Sequence, residues 1–178
     1  MFDVTAPRVR LGTRRLVLRP PVRSDAARMA ELANDFEVAK MTGAMPFPYA
    51  LADAEAFIER ARRFDLACDV AFTLELPAEG LIGGLGFHAR GGHGPEVGYW
   101  LGRPYWGRGL ASEALTAAMA WARDEWEQRC VVAHYFVDNP ASGAVLVKAG
   151  FLHTGEIAPR PCRARGEDTP SRGMIWLA

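Results

Sequence analysis

Apolar positions along this chain recur first with the periods of short strands and helices, then settle into strict alternation, and finally into a strand–helix–strand rhythm. Leu16, Val17, Leu18 and Arg19 read as a first strand, stopped by Pro20 and Pro21, which cannot both continue a ladder. Ser24 then stands where a helix N-cap is expected. Asp25 falls in the first turn and Ala27, Met29, Ala30, Leu32 and Ala33 follow, which predicts a helix over 25–34. A short helical piece over 36–41 leads into the aromatic, proline-interrupted loop 42–49, and a third helix is predicted over 51–64 with Phe57, Ile58 and Ala61 on its apolar side. Aromatic and Met side chains in such a loop either line a pocket or cover the edge of a core.

Val70, Phe72, Leu74 and Leu76 alternate with Ala71, Thr73 and Glu75, the pattern of a half-buried strand. A turn at 77–80, a glycine-rich strand over 81–88 and a second turn at 90–95 return the chain into a strand at 96–101, where Val97, Tyr99 and Leu101 alternate with Gly98 and Trp100. Three strands joined by short turns make an antiparallel meander. From Gly109 to about 126 the period becomes helical, with Leu110, Ala114, Ala117, Ala118, Trp121 and Ala122 on one face. That helix separates the strand at 96–101 from the next, at 131–137, and such a crossover makes the two strands parallel neighbours or near neighbours. Asn139 as N-cap and Pro140 at the first helical position open a helix to 149, closed by Gly150. Strands over 151–157 and 172–177 end the chain, with the polar stretch 160–171 as an excursion between them. The pattern is that of a mixed sheet in one domain, 1–178.

Composition narrows the function classes. With 178 residues the chain can bury a core without staples. Its 21 basic and 21 acidic residues give no formal net charge, so nothing global argues for a nucleic-acid partner. Cys68, Cys130 and Cys162 form no CxxC, and with His88, His93, His134 and His153 they show no metal-ligand spacing. No stretch approaches the roughly 18–20 apolar residues that span a bilayer, so no membrane partner is expected and the default compartment is the cytoplasm.

The stretch EVGYWLGRPYWGRGLAS, 96–112, carries the chemistry. Gly107 and Gly109 lie where a strand gives way to an alanine-rich helix, and amides unpaired at a helix N-terminus, backed by its dipole, suit a phosphate. Arg103 and Arg108 add charge beside it. The alternative reading is a tight strand-to-helix connection. A dinucleotide fingerprint fits poorly, because five residues separate Leu101 from Gly107 and a meander precedes them.

At LVLRP, EVGYWL, YWGRGLASEA and NPASGAVLVKAGF the chain resembles the GNAT superfamily of acyl-CoA-dependent N-acetyltransferases, and within it the RimJ/RimL branch of ribosomal-protein N-terminal acetyltransferases. The resemblance implies a GNAT-like α/β fold: a mixed, mostly antiparallel sheet with a central splayed parallel pair and helices on both faces. It implies acetyl-CoA as cofactor. The family's pyrophosphate loop, Gln/Arg-x-x-Gly-x-Gly/Ala, aligns with Trp106, Gly107, Arg108, Gly109, Leu110 and Ala111, so that Trp106 stands where Gln or Arg is commoner, and the amides of Arg108 to Ser112 serve the diphosphate. Freed backbone groups of Tyr99, Trp100 and Leu101 would bind the pantetheine arm, one N–H meeting the thioester oxygen. Most members carry a general-acid Tyr where this chain has Leu146, so no phenol is expected there. The RimJ/RimL branch instead places Ser where this chain has Ser142, to protonate or hydrogen-bond the leaving thiolate, the alternative being a first-turn serine that bonds backbone, and Asn139 would contact the cofactor.

Transfer of acetyl from a thioester to an amine needs a proton acceptor, oxyanion stabilisation and a donor for the thiolate, with proximity supplying much of the rest. Glu96 is the leading base candidate, and His88 on the adjacent strand is its rival. The implied activity is direct transfer to a primary amine in a ternary complex. The acceptor is a protein N-terminus or a small molecule such as an aminoglycoside, polyamine or amino acid; a silent acyl-CoA sensor is the alternative of another class. A homodimer is a common family outcome.

Overall fold

The computed structural model describes residues 9–64, 69–89 and 94–178. Eight strands form one sheet: β1 (Leu11–Gly12), β2 (Val17–Arg19), β3 (Val70–Leu76), β4 (Gly80–Ala89), β5 (Pro95–Leu101), β6 (Cys130–Phe136), β7 (Leu152–Cys162) and β8 (Glu167–Leu177), in the order β1-β2-β3-β4-β5-β6-β8-β7. Neighbouring pairs are antiparallel except β5 and β6, which run parallel. The helices are α1 (Ala26–Ala33), α2 (Phe36–Ala39), α3 (Leu51–Ala61), α4 (Leu110–Asp124) and α5 (Pro140–Lys148).

Strand alternation assigns the helices to faces. Phe72 and Phe87 present their rings to Trp121 of α4, at 5.6 and 6.3 Å between centroids. Thr73, one residue on and hence on the opposite face, hydrogen-bonds Asp25 just before α1. The α4 face buries Leu115 and Met119 together with the expected Leu110, Ala114, Ala118, Trp121 and Ala122, while Ala117 is only half-buried.

Two expectations are corrected. Ser24 is exposed and does not cap α1; a 3-10 turn at Arg23–Asp25 leads in, with Val22 at its N-cap. The Asp25 carboxylate turns inward instead, accepting from Val22 N at 2.9 Å and from both terminal nitrogens of Arg19 at 2.8 Å. Burial alone would raise the Asp25 pKa, but the Arg19 guanidinium and the Val22 amide outweigh it and hold the carboxyl below its ordinary value. The second correction is at the C-terminal end, where the polar excursion is itself sheet: β7 and β8 are eleven residues each, paired from Ile157↔Arg172 to Cys162↔Glu167. Pro159 and Pro161 are tolerated because β7 is an edge strand, and Pro170 lies beyond the last residue of β8 that pairs with β6, Ser171.

This hairpin braces the loop after α2. Arg163 N donates to Gly43 O at 3.1 Å, and Arg165 reaches Lys40 O at 3.0 Å while pairing with Asp138 at 2.7 Å. Cys162 is buried beneath it and Cys130 is half-buried, both free thiols. Cys68, His93 and most of the turn at 90–95 lie outside the described residues.

Candidate active site

The chain leaves β5 through a 3-10 turn at Arg103–Tyr105 and enters α4 through Gly107 and Gly109, whose φ values of 71° and 73° are left-handed and sterically open to glycine. The first bond of α4, from Glu113 N to Gly109 O at 3.1 Å, leaves the amides of Leu110, Ala111 and Ser112 ahead of the ladder. Nothing lies within 4 Å of the space a Gly107 side chain would take. The geometry is that of an anion cradle.

A brace that the sequence does not advertise fixes this loop. Glu113, in the first turn of α4, accepts from Thr13 Oγ1 at 2.6 Å, Arg15 N at 2.8 Å and Arg15 Nε at 2.7 Å, and Arg15 Nη1 donates to Arg108 O at 2.9 Å. Burial would raise the Glu113 pKa; the bonds from Thr13 and Arg15 prevail and lower it. The three aromatic and basic side chains expected at the cofactor are placed as follows. Trp106 is half exposed, and its indole N–H is committed to Leu101 O at 2.8 Å, closing the loop against the strand end. Arg103 pairs with Asp35 at 2.8 Å, and Arg108 lies 5.7 Å over the Tyr105 ring.

Beside the loop the sheet parts. β5 and β6 pair only at Glu96↔Val132 and Val97↔Ala133. Beyond that point β5 stays bonded to β4 as far as Leu101↔Gly83, and β6 stays bonded to β8 as far as Phe136↔Ser171. Each strand is thus satisfied on its outer side, and the inner edges of 98–101 and 134–136 diverge. On the α4 face the gap is spanned by a side chain: Tyr99 Oη lies 2.8 Å from Ser142 Oγ and 3.0 Å from Ser142 O. Burial pushes the Tyr99 phenol up to about 12, against a smaller opposing effect of the Ser142 contact. Asn139 caps α5 as its sequence implies, its side chain accepting from Ser142 N at 3.3 Å. Gly143 seats α5 directly on Tyr135, since a Cβ there would come within 2.7 Å of the Tyr135 ring. Leu146 is buried in the core, and the phenol absent from its position arrives at Ser142 from β5 instead.

The opposite face carries Glu96, Gly98 and Trp100. Gly98 is exposed, with nothing within 4 Å of its missing side chain, so the middle of a central strand lies open. Glu96 Oε1 is 3.6 Å from His134 Nδ1 and Oε2 is 3.5 Å from Arg160 Nη1, while Arg160 Nη2 lies 2.6 Å from His134 Nε2. A guanidinium only donates, so Nε2 accepts and the imidazole proton sits on Nδ1, facing Glu96. His88 lies across the sheet from Glu96 but turns to Asp69 at 3.3 Å and sits edge-on to Phe64 at 5.9 Å between ring centroids. Neither His134 nor Arg160 carries a motif that marks it in the sequence; β6 and the β7–β8 hairpin bring them together.

The fold is a mixed sheet parted between its two parallel strands, beside a helix N-terminus open to an anion. Residues 15–152 match the acetyltransferase (GNAT) domain, and the chain belongs to that family. The ribosomal-protein-serine acetyltransferase of Escherichia coli (strain K12) is 38% identical over 60 residues, 34% of either chain. The [Ribosomal protein uS5]-alanine N-acetyltransferase of the same organism is 35% identical over 63 residues, 35% of this chain and 32% of that one. The matched stretch thus spans about a third of the length of these curated relatives. Among solved structures, Mycobacterium smegmatis RimJ in complex with CoA-disulfide superposes with a TM-score of 0.83 over 98% of this chain and 90% of its own, at 20% identity, a likeness of fold.

Proposed function

We propose that this protein transfers an acetyl group from acetyl-CoA to a primary amine, directly in a ternary complex, with the α-amine of a protein N-terminus as acceptor. The observation that carries this reading is the parting of β5 from β6 after Val97, next to the open amides of Leu110 to Ser112. The names of the relatives, which act on ribosomal-protein serine and alanine, support the acceptor class.

Acetyl-CoA fits the residues present. The left-handed glycines leave room for a diphosphate, and the exposed Gly98 leaves room at the gap. The amides of Arg108, Gly109, Leu110, Ala111 and Ser112 hold the diphosphate, with Gly107 keeping the approach clear and Arg103, Trp106 and Arg108 at the rim. The freed backbone of Tyr99, Trp100 and Leu101 takes the pantetheine arm, and Asn139 and Ser142 bound its far end. The thioester supplies an activated acyl group and a competent leaving group. Glu96 accepts the amine proton, directly or through water, with His134 and Arg160 beside its carboxylate at 3.6 and 3.5 Å. Ser142 donates a hydrogen bond to the departing sulfur.

Among the described residues no helix is long and apolar enough to cross a membrane. The formal net charge of zero gives no global argument for a nucleic-acid partner.

The test is release of CoA thiol from acetyl-CoA with synthetic peptides starting in Ser or Ala, beside N-blocked peptides, spermidine and an aminoglycoside. Release with free peptide termini alone is the expected result. Release only with the small amines moves the acceptor to that class, and binding of acetyl-CoA without release on any amine marks a sensor.

A further inference from the structure

The Tyr99 phenol has one proton and two contacts, both on Ser142: the backbone oxygen at 3.0 Å and the hydroxyl at 2.8 Å. A carbonyl oxygen only accepts, so while the phenol donates to Ser142 O the 2.8 Å contact is completed by the Ser142 hydroxyl donating to the phenol oxygen. In that arrangement the serine proton is spent within the protein. Turning the phenol proton from Ser142 O to Ser142 Oγ reverses the second bond and frees the serine proton to point elsewhere. The change needs rotation of the two hydroxyl protons, about the phenol C–O bond and the serine C–O bond, and no movement of heavy atoms.

We propose that Tyr99 is a positioning residue for acyl transfer: its hydroxyl toggles between the two oxygens of Ser142, and when sulfur becomes anionic it donates to Ser142 Oγ so that the serine hydroxyl donates to the thiolate. This rests on the acetyltransferase reading above and deepens it by naming what orients Ser142. As the C–S bond breaks its electron pair stays on sulfur. The amine proton leaves through Glu96, and the thiolate departs hydrogen-bonded to Ser142.

No proton crosses from Tyr99. An aliphatic thiol, about 8.5 in cysteine, is a stronger acid than a phenol pushed up to about 12, so the phenol keeps its proton and works as a donor. Two linked hydrogen bonds polarise one another, and each is stronger where water is excluded. The placement also explains why a large polar residue occupies β5 where its ladder to β6 has ended. Tyr99 ties the strand to α5 across the gap, and it holds Ser142 from below while the opposite face of the sheet, with Glu96 and Gly98, stays open to the acceptor.

The test reads the thiol of bound coenzyme A and needs no acceptor. Coenzyme A isotopically labelled at the carbon bonded to sulfur is titrated by NMR on the full-length protein, in wild type, Y99F, S142A and the double variant. The expected wild-type thiol titrates below its value in free coenzyme A, measured in the same buffer. Y99F weakens thiolate stabilisation by about three- to tenfold, the size of one modest hydrogen bond. S142A weakens it at least as much, and adding Y99F to S142A changes nothing further. A Y99F titration equal to wild type overturns the proposal, as does a Y99F effect of the same size in the S142A background, which would mark a merely structural role. If S142A alone leaves the thiol unmoved, Ser142 drops out of the reading and Tyr99 with it; if wild type does not bind coenzyme A, the acetyltransferase reading itself fails. Should Y99F not fold, meta-fluorotyrosine at position 99 keeps the shape with a stronger donor. It should lower the bound thiol's titration further, and no change would overturn the proposal.

Discussion

Glu96 Oε1 and His134 Nδ1 face each other at 3.6 Å from two parallel strands that stop pairing one residue after Glu96. The contact closes a triangle with Arg160, whose guanidinium meets both. A carboxylate so placed sits between an imidazole and a guanidinium at the point where the two strands part. Glu96→Gln is therefore expected to lower kcat about 100-fold, the ordinary range for a general base, with partial recovery as pH rises and more free amine is present. His134→Ala should cost about tenfold, because Arg160 still holds the carboxylate. Initial rates across a pH series check both, and an unchanged kcat in Glu96→Gln would place the proton acceptor elsewhere.

Gly109 tests the cradle. Its φ of 73° is left-handed, a conformation that costs an L-residue about 1–2 kcal/mol and a β-branched one more. Gly109→Val should lower thermal stability and weaken acetyl-CoA binding at least tenfold, while Gly109→Asn, which tolerates that conformation, should stay close to wild type in stability. Calorimetric titration and thermal unfolding separate the two effects. Undiminished affinity in Gly109→Val would count against the loop assignment.

Acid stability follows from Asp25 and Glu113. For both, burial raises the carboxyl pKa but hydrogen bonds, from Arg19 and Val22 to Asp25 and from Thr13 and Arg15 to Glu113, prevail and lower it. A folded-state value below the unfolded one, about 4 for a free carboxyl, means the stabilisation is complete above that pH and is lost as pH falls through the folded value. Urea unfolding should show stability flat above about pH 5 and declining below about pH 4. Asp25→Asn should cost about 3 kcal/mol at neutral pH, leaving Arg19 half-paired, and should flatten the acid slope.

Gly143 is where α5 meets the sheet. An added Cβ would sit 2.7 Å from Tyr135 Cζ, so Gly143→Ala forces the helix or the ring to move, at a cost of about 1–3 kcal/mol. Because Ser142 is its neighbour, kcat should fall more than acetyl-CoA affinity. Tyr135→Leu in the same background makes room and should restore stability, as read by thermal unfolding and steady-state rates on single and double variants.

Period and punctuation determine much of this molecule from sequence alone. Alternation marks β3 and β5, the left-handed glycine marks the start of α4, and Asn139–Pro140 marks the start of α5, because each is a local preference that tertiary contacts reinforce. The family resemblance, carried by contiguous motifs, was legible for the same reason. Other features were decided by distance. Ser24 looked like a cap, yet Asp25 is drawn inward by Arg19 and Thr73, one from each of two strands. The polar stretch 160–171 read as an excursion, yet it is sheet: on the edge strand β7 no partner misses the N–H groups of Pro159 and Pro161. The parting of β5 and β6, the Arg15–Glu113 brace, the triangle of Glu96, His134 and Arg160, and the reach of Tyr99 to Ser142 all join residues far apart in the chain. Nothing local encodes them: strand order and register, set by burial of the whole sheet, choose which side chains meet.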